Sequence, residues 1–231
     1  MLLCDNTSFR LITKQLRFTE RSTNIEYIFQ NTHNNYSLYE LRLKNGTNSN
    51  QLQRINALIE KYLQKSFETP DNSYPHVFEI CSSTVFGFFS RNTSVSLENI
   101  NALLLSHLEV YDNSDYICFL SVLEQHRQQG LATQLLNKFI NRAISSGRSQ
   151  ITLHVNTKNT NALSLYFKCG LRCIQFIENF YFGDRIYPTQ DAFALALKLT
   201  SVKNSTAVCQ SSAAISTSFQ DELLHKQICE V

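Results

Sequence analysis

Arg127-Gln128-Gln129-Gly130-Leu131-Ala132 is the segment of this 231-residue sequence whose residue types and spacing point most directly to chemistry. It stands between a nearly continuous apolar run, Asp115–Leu123, and an amphipathic helical stripe. A strand that runs through a glycine turn into a helix aims the unpaired N–H groups of the first helical turn at one point. The positive end of the helix dipole adds to that potential. Such a turn suits a diphosphate, and Gly130 removes the Cβ that would hold the anion off the backbone. Arg127 can add a charge-assisted contact. The bare pattern R-x-x-G-x-A is weak, because an ordinary glycine turn before a helix has the same letters and Arg127 can equally be a solvated charge. Its weight comes from the strand before it and the stripe after it.

The stripe is Leu131, Leu135, Leu136, Phe139, Ile140, Ala143 and Ile144, one face of a helix over 131–145 that ends at Gly147. Gln150–Asn156 alternates, with Ile151, Leu153 and Val155 on one face and Thr152, His154 and Asn156 on the other, so it reads as a strand. Asn159–Cys169 reads as a short helix stopped by Gly170. Arg172–Ile177 and Ala192–Leu199 read as strands on either side of the aromatic loop NFYFGDRIYP. Upstream, YELRLK at 39–44 is the expected first strand. Residues 49–66 form a helix through Leu52, Ile55, Leu58, Ile59, Tyr62 and Leu63. Phe67–Pro75 is a loop, Val77–Cys81 and Val85–Phe89 suggest a hairpin, and Leu103–Val110 is a further strand. The order β-α-β-β-β-β-α-β-α-β-β predicts a mixed α/β layer architecture. Residues 1–38 read as an N-terminal extension of uncertain order, 39–200 as the domain, and 201–231 as a flexible Ser/Thr-rich tail.

Composition narrows the function classes. Hydrophobic residues make up 43% of the chain, enough to fill a core. The net charge of +2, from 21 basic and 19 acidic residues, argues against a dedicated nucleic-acid binder. The seven cysteines are scattered with no C-x-x-C pair, so neither a disulfide framework nor a zinc site is expected, and a reducing, cytoplasmic setting is the simpler reading. The N-terminus lacks the basic start and apolar run of a signal peptide, and no apolar run is long enough to span a membrane.

Arg127–Ala132 resembles the acetyl-CoA loop, Q/R-x-x-G-x-G/A, of the GNAT superfamily of N-acetyltransferases. Asn159-x-x-Ala162-x-x-x-Tyr166 followed by Cys169-Gly170-Leu171 is similar to that superfamily's N-x-x-A-x-x-x-Y…G-F/L segment. Within it the likeness narrows to NatF-type N-alpha-acetyltransferases, through Tyr116-Ile117, Leu153-His154-Val155 and the aromatic cluster Phe180–Phe182. The fold implied is a central, mostly antiparallel sheet flanked by helices.

By that resemblance Tyr116 and His154 are the catalytic pair. Leu120, Ser121 and Val122 hold the pantetheine and acetyl carbonyl, and Arg127, Gln128, Gln129, Gly130, Leu131, Ala132 and Thr133 form the diphosphate loop. Asn159, Tyr166, Phe167, Lys168 and Cys169 make further CoA contacts, while Cys118 and Tyr181 face the peptide. The implied co-substrate is acetyl-CoA, with no metal, and the implied partners are protein or peptide N-termini. NatF-type enzymes carry F-P-x-x-Y-P after the first helix. Here Phe67-Glu68-Thr69-Pro70 stands there, with Tyr74 nearby. They also use C-terminal amphipathic helices to hold the cytosolic face of the Golgi membrane. The tail here has Phe219, Leu223, Leu224 and Ile228 on one helical face, but Asp221, Glu222 and Glu230 oppose a single Lys226. That is a poor pattern for anionic lipid, and a frayed tail or a partner-binding helix fits as well.

The chemistry is consistent with an α-amine acceptor. Deprotonating an amine with a pKa near 7.8 at pH 7 costs about 1 kcal/mol, against roughly 4.6 kcal/mol for a lysine. An imidazole near its ordinary pKa is mostly neutral at pH 7 and can take that proton. A phenol near 10 is a poor base and suits orienting water or the amine. Taken singly, His154 can be a satisfied sheet-surface histidine, and Tyr116 or Tyr166 plain core filling. A lysine or small-amine acetyltransferase, or a CoA-binding module without catalysis, share the same motifs.

Overall fold

The computed structural model describes residues 17–20, 23–67, 84–181 and 189–199. Nine strands form one sheet: β1 (Arg17–Glu20), β2 (Ile25–His33), β3 (Tyr36–Leu43), β4 (Thr84–Ser90), β5 (Ile100–Glu109), β6 (Ser114–Val122), β7 (Gln150–Asn156), β8 (Arg172–Ile177) and β9 (Ala192–Lys198). Their spatial order is β1-β2-β3-β4-β5-β6-β7-β9-β8. Every pairing is antiparallel except β6 with β7. The helices are α1 (Ser49–Phe67), α2 (Leu131–Ser145) and α3 (Thr160–Lys168).

A sheet covered on both faces needs strands apolar on both faces, and β4 and β5 supply them. In β4, Phe86 and Phe88 enter the core under α2 and α3, while Val85 and Phe89 enter the core under α1. Complete burial of such a side chain is worth about 1.5–3 kcal/mol. α1 packs through Ile55, Ile59, Tyr62 and Leu63. It is started by a reciprocal cap, in which Gln51 N–H donates to Asn48 Oδ1 at 2.9 Å and Asn48 N–H to Gln51 Oε1 at 3.1 Å. α2 packs through Leu131, Leu135, Leu136, Phe139, Ile140 and Ala143, while Ile144, read into the same stripe, is exposed at the helix end.

The sheet begins earlier than residue 39. β1 and β2 extend it, and β2 turns into β3 through Asn34 and Asn35, with Asn34 at φ +51°. Short alternating runs joined by a tight Asn-Asn turn are a hairpin signal that the polar composition of this segment obscures. Val85–Phe89 pairs with β3 on one side and β5 on the other, so both edges of β4 are taken and the hairpin with Val77–Cys81 does not form in that ladder. Val77–Cys81 itself, most of the Phe67–Pro75 loop, Phe182 and the tail with Phe219 to Glu230 lie outside the described residues. Among the described cysteines Cys118 and Cys173 are in no disulfide. Cys169 is disulfide-bonded.

Candidate active site

β6 and β7 share only two rungs, Asp115↔Ile151 and Tyr116↔Thr152, and then separate. A bulge causes part of this. Leu105 pairs with Phe119 but Ser106 pairs with Ile117, so Cys118 is the extra residue. Cys118 and Phe119 therefore both pack toward the α1 core, and Leu120 and Val122 turn toward the α2–α3 core. The one-residue insertion re-aims the end of β6 into the gap between the diverging strands.

That gap opens into a cleft of about 780 Å³, a size suited to a cofactor-sized ligand. One wall is Leu120, Ser121 and Val122. A second is Arg127, Gln128, Gly130, Leu131, Ala132 and Thr133, and a third is α3 with Asn159, Tyr166 and Lys168. Ser66 and Phe67 from the end of α1, His126, and Asn161, Ala162, Ser164 and Leu165 also line it. Gln129, Phe167 and Cys169, expected in the same set, are not among the lining residues. Phe167 and Cys169 pack on the α2–α3 core, and the Gln129 carbonyl is engaged elsewhere, as described below.

Gly130 is the residue before α2, at φ +80° and ψ 2°, and no side chain caps the helix. The first-turn N–H groups, which have no partner within a helix, are thus left for whatever occupies the cleft. Gln128 also has positive φ, +58°, so the chain turns sharply twice on its way into α2. At α3 the cap is Asn159, whose Oδ1 accepts from Ala162 N–H at 3.2 Å.

Arg127 does something other than reach for an anion. Its Nε donates to Val122 O at 3.1 Å and its Nη2 to Ser66 O at 3.1 Å. It ties the end of β6 to the last turn of α1 and so positions the loop. His126 is a second anchor, one that no sequence pattern marks. Asn101 Oδ1 accepts from Ser90 N–H at 2.7 Å, which leaves its Nδ2 to donate to His126 Nε2 at 3.0 Å. Nδ1 then carries the proton toward Tyr36 Oη at 2.8 Å. Protonating Nε2 would set two donors face to face. Burial, with the Lys65 charge adding to it, holds the His126 pKa below its ordinary value. On the other side of the strand the Tyr62 hydroxyl, buried under α1, donates to Ser121 O at 3.0 Å and accepts from Ser121 Oγ at 3.2 Å. Its burial raises the phenol pKa well above the ordinary value.

Tyr116 and His154 meet at the root of the splay, outside the cleft lining. Tyr116 Oη lies 2.9 Å from His154 Nδ1. Phe180 stacks on the imidazole with centroids 4.2 Å apart and an 18° tilt, and Tyr181 meets Phe180 edge-on at 5.0 Å. Burial lowers the His154 pKa, because the charged ring loses solvent. The imidazole is therefore neutral at pH 7. Cys118, half-buried, directs its thiol to Tyr116 O at 3.9 Å. Tyr181 is placed through its N–H to Gln190 O at 2.9 Å.

Residues 57–171 match the model of the acetyltransferase (GNAT) family. The chain is 30% identical over 82 residues to N-alpha-acetyltransferase MAK3 of Arabidopsis thaliana, a match covering 36% of this chain and 40%, less than half, of that protein. It is 25% identical over 166 residues to an N-alpha-acetyltransferase of Sulfolobus acidocaldarius, covering 70% of this chain and 93% of that one. Among solved structures it is similar to the ribosomal-protein-S18-alanine N-acetyltransferase of Escherichia coli, with TM-score 0.52 and 17% identity over 74% of this chain and 98% of that one, a likeness of fold. With its splayed β6–β7 junction and its uncapped α2 beside the cleft, the chain has the GNAT acetyltransferase fold and matches that family's model over residues 57–171.

Proposed function

We propose that this protein moves the acetyl group of acetyl-CoA to the α-amine of a protein or peptide N-terminus, by direct attack within a ternary complex. The observation that carries the reading is a neutral imidazole bonded to a phenol at the root of the splay, beside a cleft that ends on an uncapped helix. Acetyl-CoA supplies the activated acyl group as a thioester. The N–H groups of Leu131, Ala132 and Thr133 hold the diphosphate, and the edge of β6 beyond Tyr116 holds the pantetheine. His154, with Nδ1–H donated to Tyr116 Oη, keeps Nε2 free to take a proton from the incoming amine, directly or through one water. Tyr116 fixes the ring's orientation. Backbone N–H groups of β6 stabilise the oxyanion that forms as the amine attacks. Tyr166, in the cleft wall, gives a proton to the departing thiolate. No cysteine is needed as a nucleophile.

The relatives named N-alpha-acetyltransferases support an α-amine over a lysine acceptor, as does the smaller deprotonation cost. The NatF-type blocks at Tyr116-Ile117, Leu153-His154-Val155 and Phe180–Phe182 support N-termini that begin with Met and an apolar residue, with Cys118 and Tyr181 against the peptide.

The test is mass spectrometry of acetyl-CoA reactions with matched peptides, one with a free Met-apolar N-terminus and one N-terminally blocked with an internal lysine. Acetylation of the free N-terminus, lost in His154→Ala, is expected. Activity confined to the blocked, lysine-bearing peptide overturns the α-amine assignment. Full turnover in both His154→Ala and Tyr116→Phe overturns the mechanism.

A further inference from the structure

The cofactor loop is gripped from outside the stretch that matches the family. β2 and β3 precede residue 57, where the match begins, yet the turn between them lies against the loop at two points. His33, the last residue of β2, has Nε2 2.9 Å from the carbonyl oxygen of Gln129. A carbonyl only accepts, so Nε2 carries the proton and donates. Tyr36, the first residue of β3, reaches His126 at 2.8 Å. These two strand residues face each other across the tight turn as a register pair. One hairpin end thus holds both ends of the segment 126–129. The fit is close: a Cβ on Gly130 would stand 3.1 Å from His33 Nε2.

We propose that His33 is a positioning residue for the cofactor, acting through the loop without touching the reacting atoms. Drawing the Gln129 carbonyl toward the hairpin fixes the plane of the 129–130 peptide. That plane sets how Gly130 enters α2, and so where the first-turn N–H groups point. Without the bond the loop samples other peptide orientations, and the cofactor must order it on binding. The consequence belongs to acetyl-CoA affinity and leaves the chemical step alone. The hairpin, at the far end of the sheet order from β8 and β9, is in this way part of the cofactor site.

The proposal rests on the acetyl-CoA reading, and the experiment separates the two. Calorimetric titration of CoA into the full chain is run on the wild type, His33→Ala and His33→Gln, with steady-state kinetics and melting curves on the same samples. A glutamine Nε2–H can replace the histidine donor. His33→Ala is expected to weaken CoA binding and raise the acetyl-CoA KM by about 3- to 10-fold, the range for loss of one such hydrogen bond, with kcat and the peptide KM unchanged. His33→Gln should recover most of the affinity. Wild-type binding with an unaltered His33→Ala overturns this proposal alone. So does a His33→Gln protein as weak as His33→Ala. A wild type that gives no heat with CoA overturns the acetyl-CoA reading and this proposal with it.

Discussion

Gly130→Ala tests the cofactor loop with the fewest atoms. The residue sits at φ +80° and ψ 2°, a left-handed conformation that costs an L-residue about 1–2 kcal/mol. The new Cβ would also lie 3.1 Å from His33 Nε2, so the imidazole or the 129–130 peptide must yield by a few tenths of an ångström. The strain alone lowers stability by about 1–2 kcal/mol, or Tm by roughly 2–8 °C in a chain of this size. The displacement acts on the N–H groups of Leu131 to Thr133, and losing part of one charge-assisted bond there weakens CoA by about tenfold, or 1.4 kcal/mol. Gly147→Ala separates the two effects. Gly147 has φ +68° with nothing within 4 Å of a Cβ, and it lies at the other end of α2. It should show a Tm loss of the same order and unchanged CoA binding. The assays are differential scanning calorimetry and CoA titration on both variants, with Gly130→Ala repeated in a His33→Ala background, where the contact is relieved. Refutation is plain: Gly130→Ala binding CoA as tightly as Gly147→Ala means the loop does not present the anion site.

Further expectations concern the catalytic pair, the loop anchors and pH. The His154 pKa is depressed by burial, so the neutral base persists below pH 6.5, and the acid limb of kcat/KM should fall below that value; a limb at or above pH 7 contradicts this role. Depressed His154 and His126 pKa values mean that the unfolded chain takes up these protons first. Stability is then complete above the ordinary histidine value near 6.5 and declines as pH drops below it, which denaturant melts at pH 7.5 and 5.5 will read. Arg127→Lys should lower Tm and raise the acetyl-CoA KM nearly as much as Arg127→Ala, because an ammonium cannot span Val122 O and Ser66 O as the fork does. Tyr62→Phe removes the buried donor to Ser121 O and should cost about 1–2 kcal/mol in urea denaturation; an unchanged midpoint means that the hydroxyl does not hold β6.

Sequence alone carried much of what depends on near neighbours along the chain, although the β2–β3 hairpin, equally local, was hidden by its polar composition. The α2 stripe, the alternation in β7, the glycine entry to α2 and the Asn159 cap are local patterns, because helix and strand periodicity and turn chemistry act over a few residues. The turn at Arg127–Gly130 is also a local pattern, but the other expected cofactor residues at 120–122, 131–133, 159 and 166–169 are implied only by the family resemblance, and Gln129, Phe167 and Cys169 do not line the cleft. What tertiary structure decided are the relations between distant segments. The bulge at Cys118 exists only against β5. The splay is visible only once β6 and β7 lie side by side. His33, Tyr36, Asn101 and His126 are unremarkable polar residues until the sheet brings β2, β3 and β5 to the loop. Arg127 was read as an anion contact because its own neighbourhood allows it, yet two backbone carbonyls from other elements claim its guanidinium. A side chain's type limits what it can bond, but its partner is chosen by whichever segment the fold places within reach.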